Sequence, residues 1–132
     1  MIIAEIGQAH DGSLGMAHSY IDALSKTGVD TVKFQMHFAD YESSSLEKFR
    51  IKFSYEDKTR FDYWKRMEFS LEQWLELKKH CEDKNMEFLV TPFSLKAVDV
   101  LERINVKKYK IGTGDTNNHL LLKKVAETSK PI

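Results

Sequence analysis

An internal disulfide is excluded at the outset, because the 132 residues hold a single cysteine, Cys81. A lone thiol inside a helical pattern reads as a small buried apolar residue and suits a reducing compartment. An excess of charge of one sign is lacking too. Lys plus Arg and Asp plus Glu number 20 each, so no bulk field draws the chain to nucleic acid or to an anionic membrane. Any phosphate it holds must be bound by local placement. No apolar run approaches the roughly 20 residues that span a bilayer. The N-terminus, Met1-Ile2-Ile3-Ala4-Glu5, has no basic region and meets a carboxylate at once, which is not the pattern of a signal peptide. These absences predict a soluble, cytoplasmic protein, and the length predicts one domain over residues 1–132 with a single core.

What is present is an alternation of two periods. Ile2 to Ile6 is short, apolar and rich in β-branched residues, and it stops at Gly7, which predicts a buried strand carrying Glu5 near its C-terminal end. A carboxylate there needs a partner or a role. Beyond the loop Gln8-Ala9-His10-Asp11-Gly12, Ala17, Tyr20, Ile21 and Leu24 recur at helical spacing, with Gly28 as the stop. His18 lies beside this stripe and reads as exposed. Thr31 to Gln35 predicts the second strand. Its alternation sends Val32 and Phe34 one way and Lys33 and Gln35 the other. In a parallel barrel the latter two become inward polar groups at a strand end, where barrel chemistry sits, whereas on an edge strand Lys33 would merely point to water.

Ser70 opens a third periodic segment in capping-box form with Gln73, carrying Leu71, Trp74, Leu75 and Cys81 near one face; His80 beside it needs no role beyond packing or solvent. Glu87 to Thr91 reads as the third strand, broken by Pro92, and Ser94 caps a helix through Leu95, Val98, Leu101 and Ile104. Tyr109 to Ile111 reads as a fourth strand, Leu121 to Ala126 as a fourth helix, and Lys130-Pro131-Ile132 as the entry to a fifth strand. Strand and helix alternating four times imply a parallel sheet covered by helices. An open doubly wound sheet usually carries its glycine-rich phosphate turn after the first strand, and here such a turn follows the fourth. The expected fold is therefore α/β, the N-terminal half of a TIM (β/α)8 barrel with about four βα units.

Two stretches remain. From Met36 to Met67 no clean period is visible. Tyr55, Phe61, Tyr63 and Trp64 alternate with Lys58, Arg60, Lys65 and Arg66, a composition able to stack on bases, but Glu56, Asp57 and Asp62 dilute the field. An excursion packing its aromatics beside the barrel mouth is the better expectation. Lys110-Ile111-Gly112-Thr113-Gly114-Asp115 sets a cation before two glycines that bracket a hydroxyl, ahead of a helix starting near Asn118. Glycines that turn backbone N–H groups toward an anion, together with the helix start and Lys110, fit a phosphate. The same stretch also reads as an ordinary strand-to-helix turn with Lys110 in solvent.

With these positions in hand, the chain resembles the N-terminal part of the sialic acid synthase (N-acetylneuraminate synthase) family. The resemblance is carried by Ala4-Glu5-Ile6-Gly7 with His10 and Gly12, and by Gly28-Val29-Asp30 with Val32-Lys33-Phe34-Gln35. It continues through Phe88-Leu89-Val90-Thr91-Pro92-Phe93, then Lys110 to Asp115 with Asn118, and Lys130-Pro131-Ile132. It implies a TIM-barrel transferase that condenses phosphoenolpyruvate with an N-acyl hexosamine, such as N-acetylmannosamine or its 6-phosphate, and releases phosphate. It further implies that Lys33, Lys110 and Thr113 contact phosphoenolpyruvate, that Gln35 and Asp115 lie near the sugar, that Phe93 shapes the pocket wall, and that Glu5 is a carboxylate close to the reacting carbons. Lys33, Glu5 and Asp115 are the expected catalytic groups. Ala9 stands where the family often has Asn, Thr113 where Ser is usual, and Leu120 where Pro is common; Thr113 keeps the hydroxyl a phosphate needs.

The resemblance also implies a divalent metal, Mn or Mg, bound by histidines of the barrel's second half. His10, His18, His37, His80 and His119 form no local ligand cluster in the sequence, so none is assigned to it. The expectation is thus an inactive fragment of a synthase, with open sheet edges that favour a homo-oligomer such as a dimer. Another phosphoenolpyruvate-dependent sugar synthase or aldolase on the same barrel, and a non-catalytic sugar- or phosphate-binding module, are the competing functions.

Overall fold

The structure, a computed structural model, describes residues 1–132. Three strands, β1 (Ile3–Gly7), β2 (Thr31–Met36) and β3 (Glu87–Pro92), form a parallel sheet in the order β1-β2-β3. Glu5 pairs with Lys33, which pairs with Leu89, and Phe34 pairs with Val90. The register slips between Glu5 and Gly7, and Gly7 adopts φ +54° there. A Cβ at Gly7 would lie 3.1 Å from Glu5 Oε1, so the glycine also leaves room for that carboxylate.

The sheet is covered on one side. Helices α1 (Leu14–Leu24), α4 (Leu71–Asp83), α5 (Leu95–Arg103) and α6 (His119–Ala126) all start on side-chain caps, from Ser13, Ser70, Ser94 and Asn118. They bury Ala17, Ile21, Trp74, Leu77, Val98, Leu101 and Leu121 against Val32, Phe34, Phe88 and Val90. At the centre, Phe34 meets Trp74 edge-on at 6.0 Å and Phe88 at 5.7 Å. Cys81 is buried in the same cluster, and burial pushes its thiol up to about 12, so it is a packing group. Leu75 departs from its expected place on the apolar face and is exposed.

Two expectations are corrected here. The fourth strand is reduced to one parallel bridge, Val90 to Tyr109. Tyr109 N–H donates to Pro131 O and Lys110 N–H to Val90 O, and the chain then enters a 3-10 turn, Thr113–Asp115, too soon for a ladder. Tyr109 is still held outward, its hydroxyl donating to Glu102 on α5 at 2.6 Å. The excursion after β2 is also more regular than its composition predicts. It contains α2 (Ala39–Glu42) and α3 (Arg60–Met67), the latter opened by a capping box between Thr59 and Asp62. That Thr-x-x-Asp spacing was the available signal.

Candidate functional site

Alternation along the strands separates the sheet into an apolar side under the helices and a polar side. Tyr109 pairs with outward Val90, so Lys110 projects to the side opposite the helices, the side of Lys33 and Gln35. Two strand spacings and one pleat repeat put the Lys33 and Lys110 backbones roughly 12 Å apart across this face. Thr91, which the sequence reading did not single out, shares that face beside Gln35 and is 2% exposed.

The predicted residues fall into three groups. Glu5 and Lys33 form an ion pair across β1 and β2, with the lysine side chain the more buried of the two. Gln35, Phe93 and Asp115 line one cleft of about 490 Å³ at the C-terminal ends of the strands. Asp115 is oriented there by Asn118, whose Nδ2 donates to Oδ1 at 3.1 Å while its own Oδ1 accepts from Leu121 N–H to start α6. Lys110 and Thr113 sit on the adjoining turn and are exposed. The Lys110 ammonium donates to Ile111 O, and no carboxylate lies within ion-pair distance of it. Neither Gly112 nor Gly114 takes a left-handed conformation, so the turn does not rest on glycine geometry as its sequence suggests.

The excursion supplies the other wall. His37, Glu42, Arg60 and Trp64 line the same cleft. The His37 ring lies between Trp64, 3.8 Å away, and Phe93, 4.1 Å away, each within 14° of parallel. The excursion is tied to the loop after β1 through Arg66. Its guanidinium bonds Asp57 at 2.8 Å and both Asp11 O and Asp11 Oδ1, at 3.0 and 2.7 Å. The guanidinium holds the Asp57 carboxyl below its usual range, with burial opposing and Ser54 assisting. Gly12, at φ +76°, lets this loop approach α3 closely, since a Cβ there would stand 2.3 Å from Arg66 O. His10 on this loop is fully buried against Phe69, and burial lowers its pKa to about 4, with Asp11 opposing and His37 adding to the shift.

Nowhere do three His, Cys, Asp or Glu side chains converge as a metal centre would need. His18, expected to be exposed, and His80 instead meet at the seam of α1 and α4, with Nδ1 atoms 2.7 Å apart. No helix is long and apolar enough to cross a membrane.

Comparison with known proteins agrees with the α/β fold and its parallel sheet. The chain is 37% identical over 133 residues to an N-acetylneuraminate-9-phosphate synthase of Drosophila melanogaster, covering 99% of this chain and 36% of that one. It is 35% identical over 135 residues to an N,N'-diacetyllegionaminic acid synthase of Campylobacter jejuni, covering 100% and 40%. The crystal structure of an N-acetylneuraminic acid synthetase from Leptospira borgpetersenii superposes with a TM-score of 0.78 at 30% identity, over 96% of this chain and 40% of that one. The chain thus spans well under half the length of these relatives. The NeuB family matches residues 20–132, a stretch that takes in β2, β3, the cleft and the Lys110 turn, and on that match the chain belongs to the NeuB family.

Proposed function

We propose that these residues form the phosphoenolpyruvate and sugar side of a sialic acid synthase, within the first four βα units of a (β/α)8 barrel. The observation that carries this reading is the shared face of Lys33 and Lys110, two cations distant in sequence that strand alternation assigns to the same polar side, Lys33 in the middle of β2 and Lys110 just past the Val90–Tyr109 bridge toward the C-terminal ends of the strands. In such barrels that end is where chemistry is assembled. A trianionic three-carbon substrate needs fixed cations, and Lys110 is free to supply one because no carboxylate occupies it.

In the proposed reaction the methylene carbon of phosphoenolpyruvate attacks the aldehyde carbon of an N-acyl hexosamine, and the aldehyde oxygen takes up a proton. Water adds at the carbon bearing the phosphate, and phosphate leaves, carrying the bonding pair. Lys33 and Lys110 hold the phosphate and carboxylate, and the Thr113 hydroxyl donates to the phosphate. Such held charges act by orienting the reactants and stabilising the anions that form. Gln35 and Asp115 bind hydroxyls of the open-chain sugar, Phe93 shapes the pocket wall, and Glu5, paired with Lys33, keeps a carboxylate near the reacting carbons.

The test is phosphoenolpyruvate binding by calorimetry. Lys110→Ala is expected to weaken it by about 1.5–3 kcal/mol, the contribution of a charge-assisted hydrogen bond. Unchanged affinity would remove Lys110 from the site. N-acyl hexosamines compared with arabinose phosphate in the same titration separate this reading from another phosphoenolpyruvate-dependent synthase or aldolase.

A further inference from the structure

We infer that His37 is a sugar-recognition residue of the cleft, accepting a hydrogen bond at Nε2 from a hydroxyl or amide N–H of the polyol, with Glu42 as the positioning residue that fixes its tautomer. The inference rests on the sugar-binding reading of the same cleft. His37 directly follows β2, so alternation carries it to the polar side one step beyond Gln35. Its ring cannot turn, because Trp64 and Phe93 stack on its two sides and the Arg60 guanidinium lies over Trp64 at 5.7 Å. It cannot slide either. His37 Nδ1 is 2.6 Å from Glu42 Oε2, and Glu42 Oε1 accepts Phe38 N–H at 2.7 Å.

This clamp settles the hydrogen positions. A carboxylate that already accepts a backbone N–H is an acceptor, so the hydrogen between it and the imidazole belongs to His37 Nδ1. In the neutral ring Nε2 is then a bare lone pair. It is shielded from water and has no partner in the protein. The histidine and Glu42 side chains are 5% and 8% exposed. A buried polar atom left unpaired costs free energy, and neither the aromatic stack nor the Glu42 bond at Nδ1 gives Nε2 a partner. The nitrogen therefore has a use that stacking does not explain. Gln35, Tyr41, Asp115 and Asn118 surround the same cleft with an amide, a phenol, a carboxylate and a second amide. That set suits a polyhydroxylated ligand lying against an aromatic wall, and a lone pair at Nε2 selects a ligand group that donates.

The experiment is nitrogen-15 correlation spectroscopy of the histidine rings in the 132-residue chain, titrated separately with N-acetylmannosamine and phosphoenolpyruvate. The ligand-free protein is expected to show His37 with its hydrogen on Nδ1. Adding N-acetylmannosamine is expected to shift Nε2. His37→Phe, which keeps the stack, should bind the sugar about tenfold more weakly or worse, the loss of one buried hydrogen bond, while binding phosphoenolpyruvate unchanged. Glu42→Gln can offer an amide hydrogen to Nδ1, moving the ring hydrogen to Nε2, and should weaken sugar binding with phosphoenolpyruvate binding retained. The inference is overturned if the free ring carries its hydrogen on Nε2, a measurement that needs no variant. Sugar binding that perturbs Gln35 and Asp115 but leaves Nε2 and the His37→Phe affinity unmoved overturns it while leaving the cleft reading intact. If neither ligand perturbs any residue of the polar face, the cleft reading and the inference fall together.

Discussion

On the side of the sheet turned to the helices, Val32, Phe34, Val90 and Tyr109 are at most 2% exposed and belong to one cluster. On the opposite side of the same strands stand Glu5, Lys33, Gln35 and Thr91 around one buried leucine, Leu89, with Lys110 beyond them. Backbone, register and strand length are shared, so the difference lies only in what each row of side chains is asked to do. The outer row maximises apolar area removed from water, a demand that many aliphatic and aromatic combinations satisfy. The inner row contains an ion pair, an amide and an unpaired cation, none of which packing alone would select. Substitutions on the outer row should therefore act on stability, and substitutions on the inner row on binding.

The sharpest test of the outer row is Phe34→Ala. Phe34 is fully buried between Trp74, Phe88 and His10, so removing its ring is expected to cost about 3–5 kcal/mol of unfolding free energy, read from a urea titration. A loss under about 1 kcal/mol would mean the neighbours collapse into the space and the row is less specifically packed than its burial indicates.

This division also explains which parts of the molecule were legible in the sequence. Val32 and Phe34 against Lys33 and Gln35 is a period-two signal that survives any tertiary context, and β2 lies where that pattern places it. The helices announced themselves through Ser70 with Gln73 and through Ser94, because a cap is a local hydrogen bond. Tyr109 to Ile111 has strand composition but forms only one bridge, since a ladder depends on partners that three residues cannot specify. The cleft was half legible. Gln35, Phe93 and Asp115 came from resemblance. His37 and Glu42 were missed because their meeting with Trp64 requires α3 to fold back over β2, and only the Thr59–Asp62 box hinted that α3 exists. The His18–His80 contact joins residues 62 apart on two helices, and neither helix alone predicts it.

A smaller effect is expected from acid, and it probes the junction of the two sides. His10 packs against the outer cluster but sits on the loop between β1 and α1, which Arg66 ties to the excursion. Burial, the main cause, lowers its pKa from 6.5 to about 4. The unfolded chain therefore binds this proton more readily than the folded one, so the stability it contributes is full above pH 6.5 and drains as pH falls toward 4. Between pH 7.5 and 5 the loss from this group is about 2 kcal/mol. His10→Phe removes the titration, and the urea midpoint of the variant should fall less steeply over that interval than that of the parent. Parallel curves would show that His10 is more solvated than its packing implies.

The smallest stability effect should come from the inner row. Lys33→Met keeps the aliphatic stem, loses the ion pair with Glu5, and leaves a carboxylate whose side chain is 44% exposed and can rehydrate. Screening by solvent keeps such a pair to about 1 kcal/mol or less, so the urea midpoint should barely move. Phosphoenolpyruvate affinity should by contrast fall about tenfold or more, because Lys33 is one of only two cations proposed to hold it. Measured together, the two numbers decide between the faces. A loss of more than about 3 kcal/mol in stability would assign Lys33 to the scaffold, as expected of a buried ion pair broken on one side. A stable variant that no longer binds would mark the polar face as selected for its ligand.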